Sequence, residues 1–232
     1  MRVNIFKYSS VGKKQIVAIT GLMLVGFILV HLGGNFMLFG GPEKFNGYAE
    51  DLHRLGPILW AARAILLVAV SVHITLTFSL YLENRNARGT PYAVYADFGN
   101  TTFAKRTMIL TGGLIFFFVV THLSDFTFAS KTGPRTVIPG VNGDASLGLF
   151  GLVWMSFLRP WRVVLYIGAV CMLGMHLSHG IQSFLQTLGI NHSQWTPYIE
   201  RVSNLIGVLV ALGYSMIPLY VVIRHLTVGV GV

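Results

Sequence analysis

The chain has 232 residues, of which 53% are apolar and only 11% charged, and its mean hydropathy is +0.65. That exceeds what the core of a water-soluble domain requires and indicates a membrane protein. The net charge of +9 fits membrane topology before nucleic acid, and the single cysteine, Cys171, excludes an internal disulfide, a four-thiolate zinc or iron–sulfur site within this chain and a c-type haem attachment.

In chain order, five apolar runs have the length that crosses a hydrocarbon core of about 30 Å: residues 15–39, 57–82, 107–128, 161–185 and 202–223. The first is too long for the apolar region of a signal sequence and no small-residue cleavage pattern follows it, so it is expected to remain in the mature protein. Gly40-Gly41-Pro42 then leads into a connection through Asn46 to Arg54, which on its own reads as a solvated loop entering the second span. Polar segments separate the remaining spans. Within the longest, Leu147 to Leu158 is apolar but only about a dozen residues, which predicts an interfacial or re-entrant piece. No internal repeat, low-complexity tract or soluble domain is evident. The expectation is a single all-α transmembrane domain over residues 1–232.

Sidedness follows from the distribution of cations. With the N-terminus in the cytoplasm, Arg2, Lys7, Lys13, Lys14, Arg85, Arg88, Lys105, Arg106 and Arg201 lie inside, and Lys44, Arg54, Arg63, Lys131, Arg135, Arg159, Arg162 and Arg224 outside. These totals nearly balance, so the compact N-terminal cluster beside the first span decides for N-inside.

Each of the first four spans carries a histidine 15 or 16 residues from its start: His31, His73, His122 and His176. At 1.5 Å per residue this is about 22–24 Å along each axis. Because successive spans run in opposite directions, His31 and His122 fall at an outer level, and His73 and His176 at an inner one roughly 15–20 Å away. Histidine in a bilayer needs a partner and marks function by default, although any single one is as readily an interhelical hydrogen bond. Two imidazoles facing each other from different helices can take both axial positions of a haem, leaving no open coordination site. The predicted product is a bundle in which four helices enclose two b-type haems.

Supporting residues fit that geometry. Gly33, Gly34, Gly112, Gly113, Gly168 and Gly174 would let a flat macrocycle approach a helix, or equally let helices approach each other. Arg54, Arg63, Arg159 and Arg162 stand at the outer level as partners for haem propionates, while Lys13, Lys14, Arg85, Lys105 and Arg106 are available at the inner one or serve as topology charges. His176-Leu177-Ser178-His179 places two imidazoles one turn apart. Depth favours His176 as ligand, leaving His179 for an inner propionate or a quinone. His192 and His225 read as surface residues, whereas His53 lies beside Glu50, Asp51 and Arg54.

These residues, together with Ser9-Ser10-Val11-Gly12-Lys13-Lys14, Thr20-Gly21, His31-Leu32-Gly33-Gly34-Asn35, Glu83-Asn84-Arg85, His122-Leu123-Ser124-Asp125-Phe126 and His176-Leu177-Ser178-His179-Gly180 running to Gln186-Thr187-Leu188-Gly189, carry a resemblance over essentially the whole chain. The chain resembles the five-helix, di-haem cytochrome b subunit that anchors bacterial succinate dehydrogenases and fumarate reductases. The resemblance implies an outer haem b between His31 and His122 and an inner one between His73 and His176. It further implies flavoprotein and iron–sulfur partner subunits, a location in the bacterial cytoplasmic membrane, and a membrane quinone, with menaquinone favoured over ubiquinone. No succinate chemistry is then expected on this chain alone. Quinone chemistry couples two electrons to two protons, so its site needs a proton-exchanging group; Glu50, Asp51 and His53 are outer candidates, and Ser9, Ser10, Lys13 and Lys14 inner ones.

Two other readings remain open at this stage. A di-haem cytochrome b could anchor another quinone-linked oxidoreductase of the hydrogenase, formate dehydrogenase or nitrate reductase type. Alternatively, intramembrane histidines could relay protons in a small haem-free transporter, although the spans hold few carboxylates.

Overall fold

The computed structural model describes residues 9–87, 107–129 and 148–228. Arg2, Lys7, Arg88, Lys105, Arg106, Lys131, Arg135 and Leu147 lie outside the described residues. The described residues form seven helices: α1 Ser10–Asn35, α2 Pro42–Arg54, α3 Pro57–Asn86, α4 Met108–His122, α5 Gly148–Phe157, α6 Pro160–Thr187 and α7 Thr196–Val228. Five segments are long and apolar enough to cross a membrane, namely Ser10–Gly40, Pro57–Asn86, Met108–Thr127, Pro160–Thr187 and Thr196–Thr227. This is the architecture of a multi-pass membrane protein. Most of these helices outrun the apolar stretches that announced them, because polar residues at the ends continue the hydrogen-bond ladder; α7 starts six residues before its apolar run.

Local chemistry accounts for where the helices begin. The Ser9 hydroxyl accepts from the Gly12 N–H at 3.2 Å and caps α1. Pro42, Pro57 and Pro160 open α2, α3 and α6 at the position where a missing N–H loses no helix bond. Gly41 and Gly56, with φ of +91° and +52°, reverse the chain at either end of α2. The connection expected as a loop is therefore a helix over Pro42–Arg54. Its buried Phe45 anchors one face, and its charged residues cover the other.

Helix α6 is the centre of the bundle. It packs against α1, α4 and α7, while α3 packs on α1. Its contact with α7 is backbone to backbone: a Cβ on Gly174 would stand 2.5 Å from the Gly207 carbonyl oxygen, so both helices need glycine there. At the outer end, labelled from the N-inside expectation, α2 and α5 fold over the bundle. Leu38, Phe45, Phe150, Val153, Phe157, Tyr166, Ile217 and Val221 form one buried cluster there. The Asn46 side-chain oxygen accepts from the Phe150 N–H at 2.9 Å, so α2 caps α5. The short apolar piece before Pro160 is thus a helix buried against the bundle on several of its residues. Elsewhere Val30, Ile58, Leu67, Val164, Leu212 and Leu226 point outward, giving the bundle the apolar exterior that lipid requires.

Candidate functional site: two histidine pairs

The outer pair joins a side chain of α1 to one of α4. The imidazoles of His31 and His122 have ring centres 5.9 Å apart, with planes at 86°. Phe27 stacks on His31 at 5.2 Å. Tyr214 of α7 stands 6.1 Å from the same ring and donates its hydroxyl to the Ile28 carbonyl at 2.8 Å. Phe118, Phe126 and Tyr166 enclose His122 at 5.8, 5.4 and 6.1 Å. The Nδ1 of His122 is buried without a hydrogen-bond partner among the described residues.

Immediately after His122 the helix loosens into a π-turn over Leu123–Thr127, in which the Phe128 N–H reaches the Leu123 carbonyl five residues back at 2.9 Å. The extra residue turns Asp125 inward. Its carboxylate pairs with the Arg162 guanidinium at 2.8 Å and accepts from the Tyr166 hydroxyl at 2.9 Å. Arg162 also donates to the Ser156 hydroxyl at 2.7 Å and lies over the Trp161 ring, while its Nε has no partner among the described residues. Asp125, Arg162, Ser124, Ser156 and Arg159 line a cavity of about 330 Å³ under α5.

The inner pair draws on all four helices. His73 of α3 faces α1, where its Nδ1 lies 3.2 Å from the Thr20 hydroxyl. His176 of α6 faces α4, where its Nδ1 lies 3.2 Å from the Thr111 hydroxyl. Each ring rests against the glycine that follows its threonine: a Cβ on Gly21 would stand 3.2 Å from His73 Cε1, and one on Gly112 3.3 Å from His176 Cε1. His73 and His179 both lie within electrostatic reach of His176. Two turns from Thr20 on α1, Lys13 is buried against Glu83 and Ser79 of α3.

The remaining candidates have local partners. Arg54 pairs with Asp51 at 3.1 Å on the exposed face of α2, where Glu50 is also exposed and His53 bonds the Ala49 carbonyl at 2.6 Å through Nδ1. Arg63 lies over the Trp60 ring at 5.0 Å. Lys14 is exposed beside the buried Lys13. Among the glycines, Gly34 receives Tyr48, Gly112 receives His176 and Gly174 receives α7, while Gly33, Gly113 and Gly168 have no neighbour within 4 Å of a Cβ position.

Sequence reasoning missed Thr20, Thr111 and the Asp125–Arg162–Tyr166 cluster as partners of the histidines. A signal for the threonines exists. Thr20-Gly21 precedes His31 by eleven residues and Thr111-Gly112 precedes His122 by eleven, so a short internal repeat is present after all. Each half of the chain supplies one histidine to each level.

Chemically, the outer level brings nitrogen donors together from two helices, whereas at the inner level His73 and His176 each face a threonine of a neighbouring helix. Two imidazoles bonded at about 2 Å on opposite sides of one metal ion have ring centres about 6 Å apart, which the outer pair matches. Among the described residues no group of three or more His, Cys, Asp or Glu converges. The donor set therefore suits a metal already held in a planar macrocycle better than a bare ion. No family model matches the chain, and no curated protein or solved structure is significantly similar to it.

Proposed function

We propose that the chain is a di-haem cytochrome b membrane anchor of the succinate dehydrogenase and fumarate reductase kind, an electron carrier between an iron–sulfur subunit and a membrane quinone in the bacterial cytoplasmic membrane. The observation that carries this reading is the perpendicular His31–His122 pair at 5.9 Å, paired with a second, deeper set at His73 and His176. His31 and His122 would hold the outer haem, and His73 and His176 the inner one. A bound bis-histidine haem supplies one-electron exchange at iron without an open position for oxygen.

The chain's own residues do the rest. The aromatic wall around His31 and His122 excludes water and keeps the rings in line. Tyr166 donates its hydroxyl to Asp125 beside the outer pair, and Arg162 holds that carboxylate in place. A quinone on the outer side would meet Asp125 and Arg162 in the cavity under α5, in preference to the exposed Glu50 and His53 of α2. His179, one turn past His176, stands at the inner level, where an iron–sulfur subunit would dock.

The test is haem per polypeptide by pyridine haemochrome, with a reduced-minus-oxidised spectrum, on the purified chain and its co-purifying subunits. Two b haems in wild type, with His31→Ala and His73→Ala each losing at least one, are expected. A folded preparation without haem rejects the reading. The buried Asp125–Arg162–Tyr166 cluster would then favour a proton-conducting transporter.

A further inference from the structure

The two inner histidines share surroundings that the outer two lack, and those surroundings decide which ring nitrogen carries the proton. A threonine hydroxyl has one hydrogen to donate and oxygen lone pairs to accept with. The Thr20 Oγ1 lies 2.8 Å from the Ile16 carbonyl and 3.1 Å from that of Val17, both in its own helix. The Thr111 Oγ1 lies 3.1 Å from the Met108 carbonyl. Carbonyl oxygens only accept, so in these contacts the hydroxyl gives its one hydrogen to its own backbone. What remains toward the imidazole is a lone pair. At 3.2 Å that lone pair calls for an N–H on Nδ1 of His73 and of His176. The Val17 and Met108 carbonyls are further acceptors beside the same two rings. An imidazole protonated on Nδ1 has its free lone pair on Nε2, the nitrogen that points away from the threonine.

We propose that Thr20 and Thr111 are positioning residues for the inner pair: each accepts from the Nδ1–H of the histidine packed against it, and so fixes both imidazoles in the tautomer whose Nε2 can bind metal. Gly21 and Gly112 complete each seat, since the rings lie against the helix where a side chain would stand. The Thr-Gly pair is thus a unit used twice, each time eleven residues before an outer histidine. The last step, from a free Nε2 to a haem ligand, rests on the di-haem reading; the tautomer does not.

The experiment uses the full chain with its co-purifying subunits, as wild type, Thr20→Val, Thr20→Ser, Thr111→Val and Thr111→Ser. Valine keeps the shape and removes the acceptor, whereas serine keeps the acceptor. Nitrogen-15 NMR of histidine-labelled protein in bilayers, assigned with His73→Ala and His176→Ala, is expected to show Nδ1–H and unprotonated Nε2 at both inner histidines. That pattern should be lost or shifted at the matching histidine in each valine variant and retained in each serine variant. In parallel, each valine variant is expected to hold the inner haem ten- to a hundredfold more weakly, as outer-shell losses do, with the inner midpoint potential moved upward and the outer haem unchanged. Protonated Nε2 at His73 and His176 in wild type overturns the proposal, as do valine variants indistinguishable from wild type in both measurements. Should wild type hold no haem while the NMR pattern and its loss in the valine variants appear, the positioning role stands and the di-haem reading falls.

Discussion

At the inner level, each imidazole meets a neutral threonine hydroxyl on a neighbouring helix, with a glycine beneath the ring. At the outer level the imidazoles have no such seat. They sit in a cage of Phe27, Phe118, Phe126, Tyr166 and Tyr214, with the Asp125–Arg162 ion pair one residue layer away and a buried Nδ1 on His122 that has no partner among the described residues. The same residue type at matched depths thus meets two environments, one ordered by hydrogen bonds and one by ring packing beside fixed charges. Hydrogen bonding, burial and nearby charge are the means by which a protein sets the affinity and potential of a bound metal group. The two levels should therefore behave as two distinguishable centres.

The comparison is broken most severely by deleting a histidine. On the proposed di-haem reading, His122→Ala should abolish the outer haem and leave the inner one, and His176→Ala the reverse, as read from haem content and the difference spectrum. Next in size is Asp125→Asn. It leaves the Arg162 guanidinium without its carboxylate at a site where the two side chains are 19% and 9% exposed, and should destabilise the protein by about 3–5 kcal/mol in detergent unfolding. The double change Asp125→Leu with Arg162→Met should recover much of that loss, because it removes both buried charges.

A smaller effect is expected from the close contact of α6 with α7. Gly174→Ala drives a methyl into the Gly207 carbonyl and the Ala211 methyl, 2.5 and 2.9 Å from it, and should cost about 1–3 kcal/mol in detergent unfolding. Least of all, Arg54→Ala removes an exposed pair with Asp51 and should change stability by less than about 0.5 kcal/mol, with haem content unaltered. Loss of the outer haem in Arg54→Ala would instead return that arginine to the outer level.

Much of this organisation was legible in the residues. The five spans stood out because lipid demands long apolar runs, and the meeting of His31 with His122 followed from helix rise and alternating direction. The helix of α2 was legible but missed: Pro42 opens it, and Phe45, Tyr48, Ala49 and Leu52 recur at i, i+3, i+4 and i+7 among charged residues, the spacing of an amphipathic helix. Asp125, by contrast, was hidden. An α-helical count places it on a face that the π-turn after His122 then shifts by one residue, and only the fold brings it to Arg162 and Tyr166. Thr20 and Thr111 are ordinary residues in spans, where threonine commonly bonds its own backbone. Their second bond depends on which helices become neighbours, and no spacing along the chain states that.

The ion pair between Lys13 and Glu83 bears on how the chain enters the bilayer. The two residues are 70 positions apart, so during synthesis α1 is inserted with its lysine before the glutamate exists. Until then the ammonium must stay in the watery headgroup layer, which its place in the first turn of α1 allows. Only a completed α1–α2–α3 hairpin lets it turn inward to Glu83 and Ser79. Thr20 lies two turns deeper on the same face of α1, so closing that pair draws its hydroxyl into line with His73. Assembly of the first half of the inner level is thereby timed to the arrival of the second membrane-spanning helix.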